Sequence, residues 1–419
     1  MMVLFGHIIY LLAYILVFIL SHLLYIFLPK KIKQWVKLKT QFKTFSKISD
    51  SSKKTYWFHA ASGEIEYAKS VIRELRTIHR DSIIIVVTYS SPSAPNLFNN
   101  IRNEVDAFIP LCWDLDIFNN RLIKLINPSV VIFARTDFWP RLIYNLKKQN
   151  IPVCAISLFV RNGFLQKTWF KFVLTPMKFI TCVNPSNQSY LKNILPNNLV
   201  EFVPDTRFDQ VIHRLESPTK IEFTQNSNNK FFTVGSSWPN DDAVITPALK
   251  NILDLGYKVI WVPHELQHAD PLALRLKSLY PDIRLVLFSN CKIENQKIDL
   301  KDCDILIVDR IGYLADFYRF STISFVGGSF VGKVHSVMEP LCAGNAVIVG
   351  PYHQNSPEAL YFKYLNVVVS VMNFNELQSA FTQLHNNETA TKAILKKELV
   401  KFTGGTKKNV ALINQLISR

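Results

Sequence analysis

The sequence predicts an α/β protein built of two Rossmann-like domains facing one another across a cleft, behind an N-terminal transmembrane helix. Three observations predict it. Short β-branched and aromatic runs alternate with longer amphipathic stretches, first through residues 55–215 and again through 231–419, the pattern of parallel sheets covered on both faces. A polar tract at 216–230 interrupts the alternation and reads as a linker. Ahead of both halves, Val3 to Leu28 carries no Lys, Arg, Asp or Glu and is longer than the ~20 residues a helix needs to cross a bilayer.

The apolar run defines an anchor at 1–29. Lys30, Lys31, Lys33, Lys37, Lys39, Lys43, Lys47, Lys53 and Lys54 crowd behind it, a basic juxtamembrane segment at 30–54. A cleaved leader would carry its charge before the apolar core and small residues after it, so a retained single-pass anchor is expected. Lysines on the following side place the rest of the chain in the cytoplasm and draw it to anionic lipids of the inner membrane. The net charge of +16 is thereby largely a membrane feature, and no nucleic-acid-binding module accompanies it. The six cysteines show no C-x-x-C spacing, and neither zinc nor a disulfide framework is expected.

In the first half the expected strands are Tyr56–Ala60, Ser82–Thr88, Ala107–Ile109, Val130–Ala134, Val153–Ser157, Phe179–Val183 and Glu201–Val203, with helices at Glu64–His79, Ile117–Ile126 and Arg141–Gln149. In the second they are Phe231–Val234, Val259–Val262, Arg284–Phe288, Ile305–Val308, Thr322–Val326, Ala346–Val349 and Val367–Val369. Helices fall at Asp241–Leu255, Pro271–Leu279, Ile311–Arg319, Val337–Ala343 and Asn373–Leu384, the last opening with Asn373 and Glu376 at capping-box spacing. Ser289–Asp302 reads as a polar surface loop.

Glycine is concentrated. Only 13 residues are Gly, yet Gly327, Gly328, Gly332, Gly344 and Gly350 all fall within Val326–Asn355, a β-loop-α-β unit. Such a loop lets backbone N–H groups approach a phosphate, and Glu339 lies where a carboxylate accepts hydrogen bonds from ribose hydroxyls. Ligands of doubly wound sheets bind at the carboxyl ends of strands. The polar residues there are His59, Ser62, Gly63 and Glu64, then Thr88–Ser93, then Arg135, Thr136 and Asp137. The second half adds Gly235, Ser236 and Ser237, His264 and Glu265, and Asp309 to Gly312.

In order, HAASGE (59–64), CWDLD (112–116), RTDFWP (135–140), DTRFD (205–209), GSSWPNDD (235–242), PHE (263–265), DRIGYLADFY (309–318) and GGSF…HSVMEP…GP (327–351) resemble the 3-deoxy-D-manno-octulosonic acid (Kdo) transferases of lipopolysaccharide synthesis. The resemblance implies a GT-B glycosyltransferase at the inner membrane that moves Kdo from CMP-Kdo to a lipid A precursor (lipid IVA), with inversion at the anomeric carbon. It maps the general base to Glu64 and the ribose-binding carboxylate to Glu339. Where many members carry E-T-E-L-W-P, this chain has Arg135-Thr-Asp-Phe-Trp-Pro140, a base in place of an acid, and the HAASGE and GKVHS loops are each one residue short.

Inverting transfer needs a base for the acceptor hydroxyl and donors for the leaving phosphate. Ser236, Ser237, His264 and the N–H groups near Gly328, Ser329 and His335 are the candidate donors. Arg207, Gly312, Ser336, Glu339 and Asn355 complete the expected donor-binding set; Ser62, Gly63, Thr136 and Asp137 form the acceptor-binding set. No cofactor is expected, and Asp114-Leu-Asp116, the only D-x-D pair singled out, reads as structural rather than metal-binding. A UDP-sugar donor on the same fold, and a membrane-tethered binder without turnover, are the alternative readings.

Overall fold

The structure is a computed structural model describing residues 2–44, 48, 50, 52–160, 164–217, 219, 221–223, 230–291, 293–294 and 297–418. It divides into two compact units, residues 1–210 with 402–419, and residues 211–401.

The first unit is built on seven parallel strands, β1 Lys54–His59, β2 Ile83–Tyr89, β3 Ala107–Pro110, β4 Val130–Ala134, β5 Val153–Leu158, β6 Phe179–Cys182 and β7 Leu199–Phe202. Their order is β3-β2-β1-β4-β5-β6-β7. Strands β2, β4 and β5 are buried at every position, because helices cover both faces, and this is why β2 and β4 read as near-continuous Val/Ile runs and β5 carries no charged residue. The strand order reverses between β1 and β4, so the loops after His59 and Ala134 open side by side at the carboxyl edge.

The second unit repeats the plan with β8 Lys230–Ser237, β9 Tyr257–Pro263, β10 Leu285–Leu287, β11 Ile305–Ile307, β12 Ser321–Val326, β13 Ala346–Val349 and β14 Val368–Ser370, in the order β10-β11-β9-β8-β12-β13-β14. Its reversal lies between β8 and β12, placing Ser236–Ser237 beside Gly327–Gly328.

Helices differ from expectation where backbone chemistry intervenes. Pro247 has no N–H to donate, and the expected Asp241–Leu255 helix becomes Pro239–Ile245, a 3-10 turn at Thr246–Ala248, and Leu249–Asp254. Gly312, at φ 94°, holds a turn that delays the next helix to Leu314–Phe320. Glu64–His79 begins instead as a 3-10 turn, Gly63–Tyr67, before the helix Lys69–His79. Of the expected capping box at Asn373 one arm forms, the Asn373 side chain accepting the Glu376 N–H at 3.1 Å, while the Glu376 carboxylate takes the Met372 N–H at 2.9 Å instead of the Asn373 N–H. Helices Phe164–Leu174, Pro185–Ile194, Thr206–Glu216, Glu388–Leu399 and Gly405–Ile417 lie outside the expected set.

Part of the expected linker 216–230 lies outside the described residues; Glu222–Phe223 within it pairs with Lys297–Ile298, which pairs in turn with Ile293–Glu294. The expected polar loop Ser289–Asp302 thus contributes two short strands.

The structure also corrects the expected 231–419 boundary, because helix Gly405–Ile417 packs on the first unit. Val410 and Ile413 join a core with Val71, Leu75 and Ile85. The Asp209 carboxylate accepts the Gly404 and Thr406 N–H groups at 2.7 and 2.6 Å, and Thr181 donates to Asn409 at 2.8 Å. Buried polar contacts of this kind fix one docking position.

The N-terminal helix, Met2–Leu23, is long and apolar enough between Gly6 and Leu23 to cross a membrane. One stripe of it rests on the first unit along most of its length: His7 meets Tyr144 and Phe172, while Tyr14, Phe18 and His22 meet Trp113. Ile8, Leu12, Leu16, Ile19 and Leu23 face outward and are exposed. Lys39, grouped by sequence with the surface lysines, is instead fully buried. Lys47 lies outside the described residues.

Candidate active site

In the first unit the site is assembled from the two loops at the β1/β4 reversal. Strand β1 ends at His59, and the chain turns through Ala61, Ser62 and Gly63 so that Glu64 faces the loop after β4. One Glu64 carboxylate oxygen accepts the Ala61 N–H at 3.3 Å; the other accepts the N–H and hydroxyl of Thr136 at 3.3 and 3.2 Å. A methyl group added at Gly63 would meet nothing within 4 Å, so the space above it is open. Ser62 shares a 2.9 Å hydrogen bond with Ser93.

Behind Glu64 sits Asp137. Its Oδ2 lies 3.0 Å from His59 Nε2 and accepts the Ser90 hydroxyl at 2.6 Å. His59 Nδ1 lies 2.9 Å from the Thr88 hydroxyl, which accepts the Trp57 indole N–H. With Nε2–H donated to Asp137, Nδ1 accepts from Thr88, and the ring is fixed in one orientation. The Trp139 indole N–H approaches the same junction at 3.1 Å from Nε2; a nitrogen giving up its own proton cannot accept another, so this N–H serves the Asp137 carboxylate.

The two carboxylates are driven apart. Burial and the adjacent Asp137 charge raise Glu64 above the usual carboxylate range, against opposing hydrogen bonds from Ala61 and Thr136. Burial pushes Asp137 the same way, but the hydrogen bonds from His59, Ser90 and Trp139 outweigh it and hold Asp137 down at about 2. Two acids separated in this way divide the work, one staying ionised and the other poised to take a proton.

A cavity of about 730 Å³ opens over this loop pair, lined among others by Ser62, Gly63, Glu64, Arg135, Thr136, Phe159 and Arg207. Arg207, expected among the donor-binding residues, lines this first-unit cavity instead and is held by the Asp205 carboxylate at 2.8 Å. Within DTRFD, Thr206 donates to the Tyr67 carbonyl and Asp209 caps the C-terminal helix, so the motif's other members are structural. Asp114 is structural too: it accepts the Arg141 and Leu142 N–H groups at the start of helix Pro140–Lys148, and Asp116 pairs with Arg141. No grouping of three or more His, Cys, Asp or Glu suited to a metal occurs among the described residues.

The second unit brings Ser236, Ser237, His264, Gly328, Ser329 and His335 together. Trp238, His264 and His335 stack, with ring centroids 4.7 and 4.4 Å apart, and the Trp238 N–H donates to His335 Nε2 at 3.1 Å. Gly327 is required because a Cβ there would lie 2.2 Å from the Ser236 carbonyl oxygen.

The glycine loop itself differs from expectation. Asp241 accepts the Gly328 N–H at 2.8 Å and the Phe330 N–H at 3.3 Å, and the His335 N–H goes to the Gly327 carbonyl. Buried amides must find partners, and here the loop and Asp241 supply them, so these two expected phosphate donors are already engaged. Ser329 is buried, accepting the Gly350 N–H, and the helix after the loop is only Met338–Cys342. Ser237 accepts the Trp261 indole N–H. Glu339 pairs with Arg214, Asn355 donates to the Val334 carbonyl at 3.0 Å, Ser336 is exposed, and Gly312 supports its turn. Ser236, at φ 53°, is held in a strained left-handed conformation beside the loop.

A family model described as 3-deoxy-D-manno-octulosonic-acid transferase matches residues 36–210. The Kdo transferase of Rickettsia prowazekii is 24 % identical over 367 residues, 84 % of this chain and 77 % of that protein. That of Aquifex aeolicus is 26 % identical over 334 residues, 78 % of this chain and 85 % of that protein. Over most of its length the chain is thus similar to Kdo transferases. Solved structures show the same fold: a Neisseria meningitidis UDP-GlcNAc 2-epimerase (TM-score 0.60, 12 % identity, 86 % of this chain and all of that one) and Acinetobacter baumannii MurG (TM-score 0.54, 14 % identity, 87 % and 99 %). The chain therefore has the GT-B architecture, α/β in both halves.

Sequence reasoning placed His59 and Ser90 among the strand-end polar residues without a role, and Trp139 only within the RTDFWP motif. The junction they form spans residues up to 80 positions apart, which no local pattern encodes. The available signal was position: each lies at or just beyond the carboxyl end of β1, β2 or β4.

Proposed function

We propose that this protein is a Kdo transferase that moves Kdo from CMP-Kdo to a lipid A precursor by inverting displacement, with Glu64 as general base. The observation that carries the reading is the Glu64/Asp137 pair: one carboxylate raised by burial and its neighbour, the other held ionised by three hydrogen bonds, beside an open cavity. An acceptor hydroxyl entering over Gly63 meets a carboxylate able to take its proton as the new bond forms. Asp137 does not share that proton; it keeps His59 and Trp139 in place and tunes Glu64. The Trp238–His264–His335 stack offers polar ring edges and a flat aromatic face for the nucleotide, and Glu339 a carboxylate for its ribose.

The outward stripe of the N-terminal helix enters lipid, with Lys30, Lys31 and Lys33 at the anionic headgroups of the inner membrane. The direct test combines purified enzyme, CMP-Kdo and a lipid A precursor. Product of the expected mass from the wild type, and a fall in kcat of roughly 10²–10⁴-fold in Glu64→Gln, is the expected result. Product from UDP-sugars but not CMP-Kdo, or undiminished turnover in Glu64→Gln, would overturn it.

A further inference from the structure

We propose that Arg135 forms an oxyanion subsite in the cavity beside Glu64, taking a phosphate or carboxylate group carried by the sugar acceptor; this rests on the reading of that cavity as the acceptor site. The Arg135 guanidinium carbon lies 4.3 Å from the Tyr67 ring centroid and 5.2 Å from that of Phe159. Arg207 lies 4.4 Å from the same Tyr67 ring. Two guanidinium groups thus share one aromatic ring on the cavity wall, a rigid mount that leaves N–H edges for a ligand.

Their settings differ. Arg207 is neutralised by Asp205, whereas Arg135 gives one N–H to the Ser157 carbonyl at 3.1 Å and, among the described residues, has no carboxylate at ion-pair distance. Its backbone is in the left-handed region at φ 70°, which a residue carrying a Cβ adopts only under strain. A strained residue whose side chain is kept on a cavity wall points to use of that side chain.

Charge balance gives the ligand's sign. Glu66 on the cavity wall is paired with Lys69, but Glu64 lines the cavity and Asp137 lies behind it, so an anionic acceptor would be repelled without a cation beside them. An arginine fork matches two oxygens of a phosphate or carboxylate at once, which a lysine does not.

The test measures equilibrium binding of three matched acceptor glycolipids to the full-length protein in detergent: one bearing a phosphate, one bearing a sugar carboxylate, one bearing neither. Arg135→Gly removes the guanidinium at a φ that glycine adopts freely, and Arg135→Lys keeps the charge but not the fork. The expected result is a loss of ~10- to 100-fold for one anionic lipid in Arg135→Gly, a smaller loss in Arg135→Lys, and unchanged binding of the neutral lipid and of CMP-Kdo. Which anionic lipid is lost identifies the group. Equal losses for all three lipids, no loss for any, or a loss confined to CMP-Kdo would overturn the subsite. Turnover is scored separately: a wild type that selects lipids by charge but transfers no Kdo would defeat the transfer reading and leave the subsite standing, and a charge-blind enzyme with full turnover would do the reverse.

Discussion

The Lys39 ammonium lies 3.7 Å from the centroid of the Trp139 ring, and the indole N–H of that same ring serves the His59–Asp137 junction. A second ring, Trp35, stands 5.1 Å away, and the Nζ has no hydrogen-bond partner among the described residues. A cation just after the helix Lys30–Leu38 is therefore buried against the back of the loops that carry His59 and Asp137.

Burial lowers the Lys39 pKa to about 8, against the attraction of Cys112, Asp137 and Asp114. Below that pH the folded protein carries a buried ammonium and the destabilisation is full. From about 8 to the unfolded value of 10.5 the unfolded chain binds more protons, so this group makes stability rise with pH. Lys39→Met should raise stability at pH 7 by about 1–3 kcal/mol and flatten that rise. Denaturant melts at pH 7 and 9.5 check it; a less stable mutant at pH 7 would show the cation–π contact outweighing desolvation.

Asp137 raises Glu64 by like-charge repulsion. With Glu64 as the proposed base, replacing Asp137 by Asn should therefore move the acid limb of kcat to lower pH, while the loss of the anchor for His59 and Trp139 lowers kcat itself. The pH–rate profile of Asp137→Asn against wild type reads both. A limb shifted to higher pH, or one that persists in Glu64→Gln, would assign the titrating group elsewhere.

Glu339 is paired with Arg214 in the second unit. As a ribose ligand it should weaken CMP-Kdo binding on mutation to Ala by roughly 1–3 kcal/mol, the worth of a lost charge-assisted hydrogen bond. Arg214→Ala frees the carboxylate and should leave nucleotide affinity equal or tighter. Calorimetry on both variants decides; parallel losses would mean the pair serves only to hold the loop.

The N-terminal helix predicts a sided effect. Leu12 is on its exposed stripe and Tyr14 on the stripe against Trp113. Leu12→Lys should release protein from vesicles of anionic lipid with little change in melting temperature, and Tyr14→Ala should lower the melting temperature with vesicle binding retained. Vesicle flotation and thermal melts separate them, and full vesicle binding by Leu12→Lys would place the lipid-facing stripe elsewhere.

By itself the sequence determined what is periodic or local. Unbroken β-branched runs alternating with amphipathic stretches specified both sheets, since each strand's burial is written in its own residues. Asn373 and Glu376 specified their own cap, and the ordered motifs carried the family. Tertiary structure decided what depends on residues far apart in the chain. It turned Lys39 inward between two tryptophans, gave the C-terminal helix to the first unit through Asp209 and Asn409, and spent the glycine-loop amides on Asp241. It also set His59, Ser90, Asp137 and Trp139 around one junction. The reason is common to all of these: which strand lies beside which fixes where loop ends meet, and a buried charge or amide must then be satisfied by whatever the topology brings within hydrogen-bond reach.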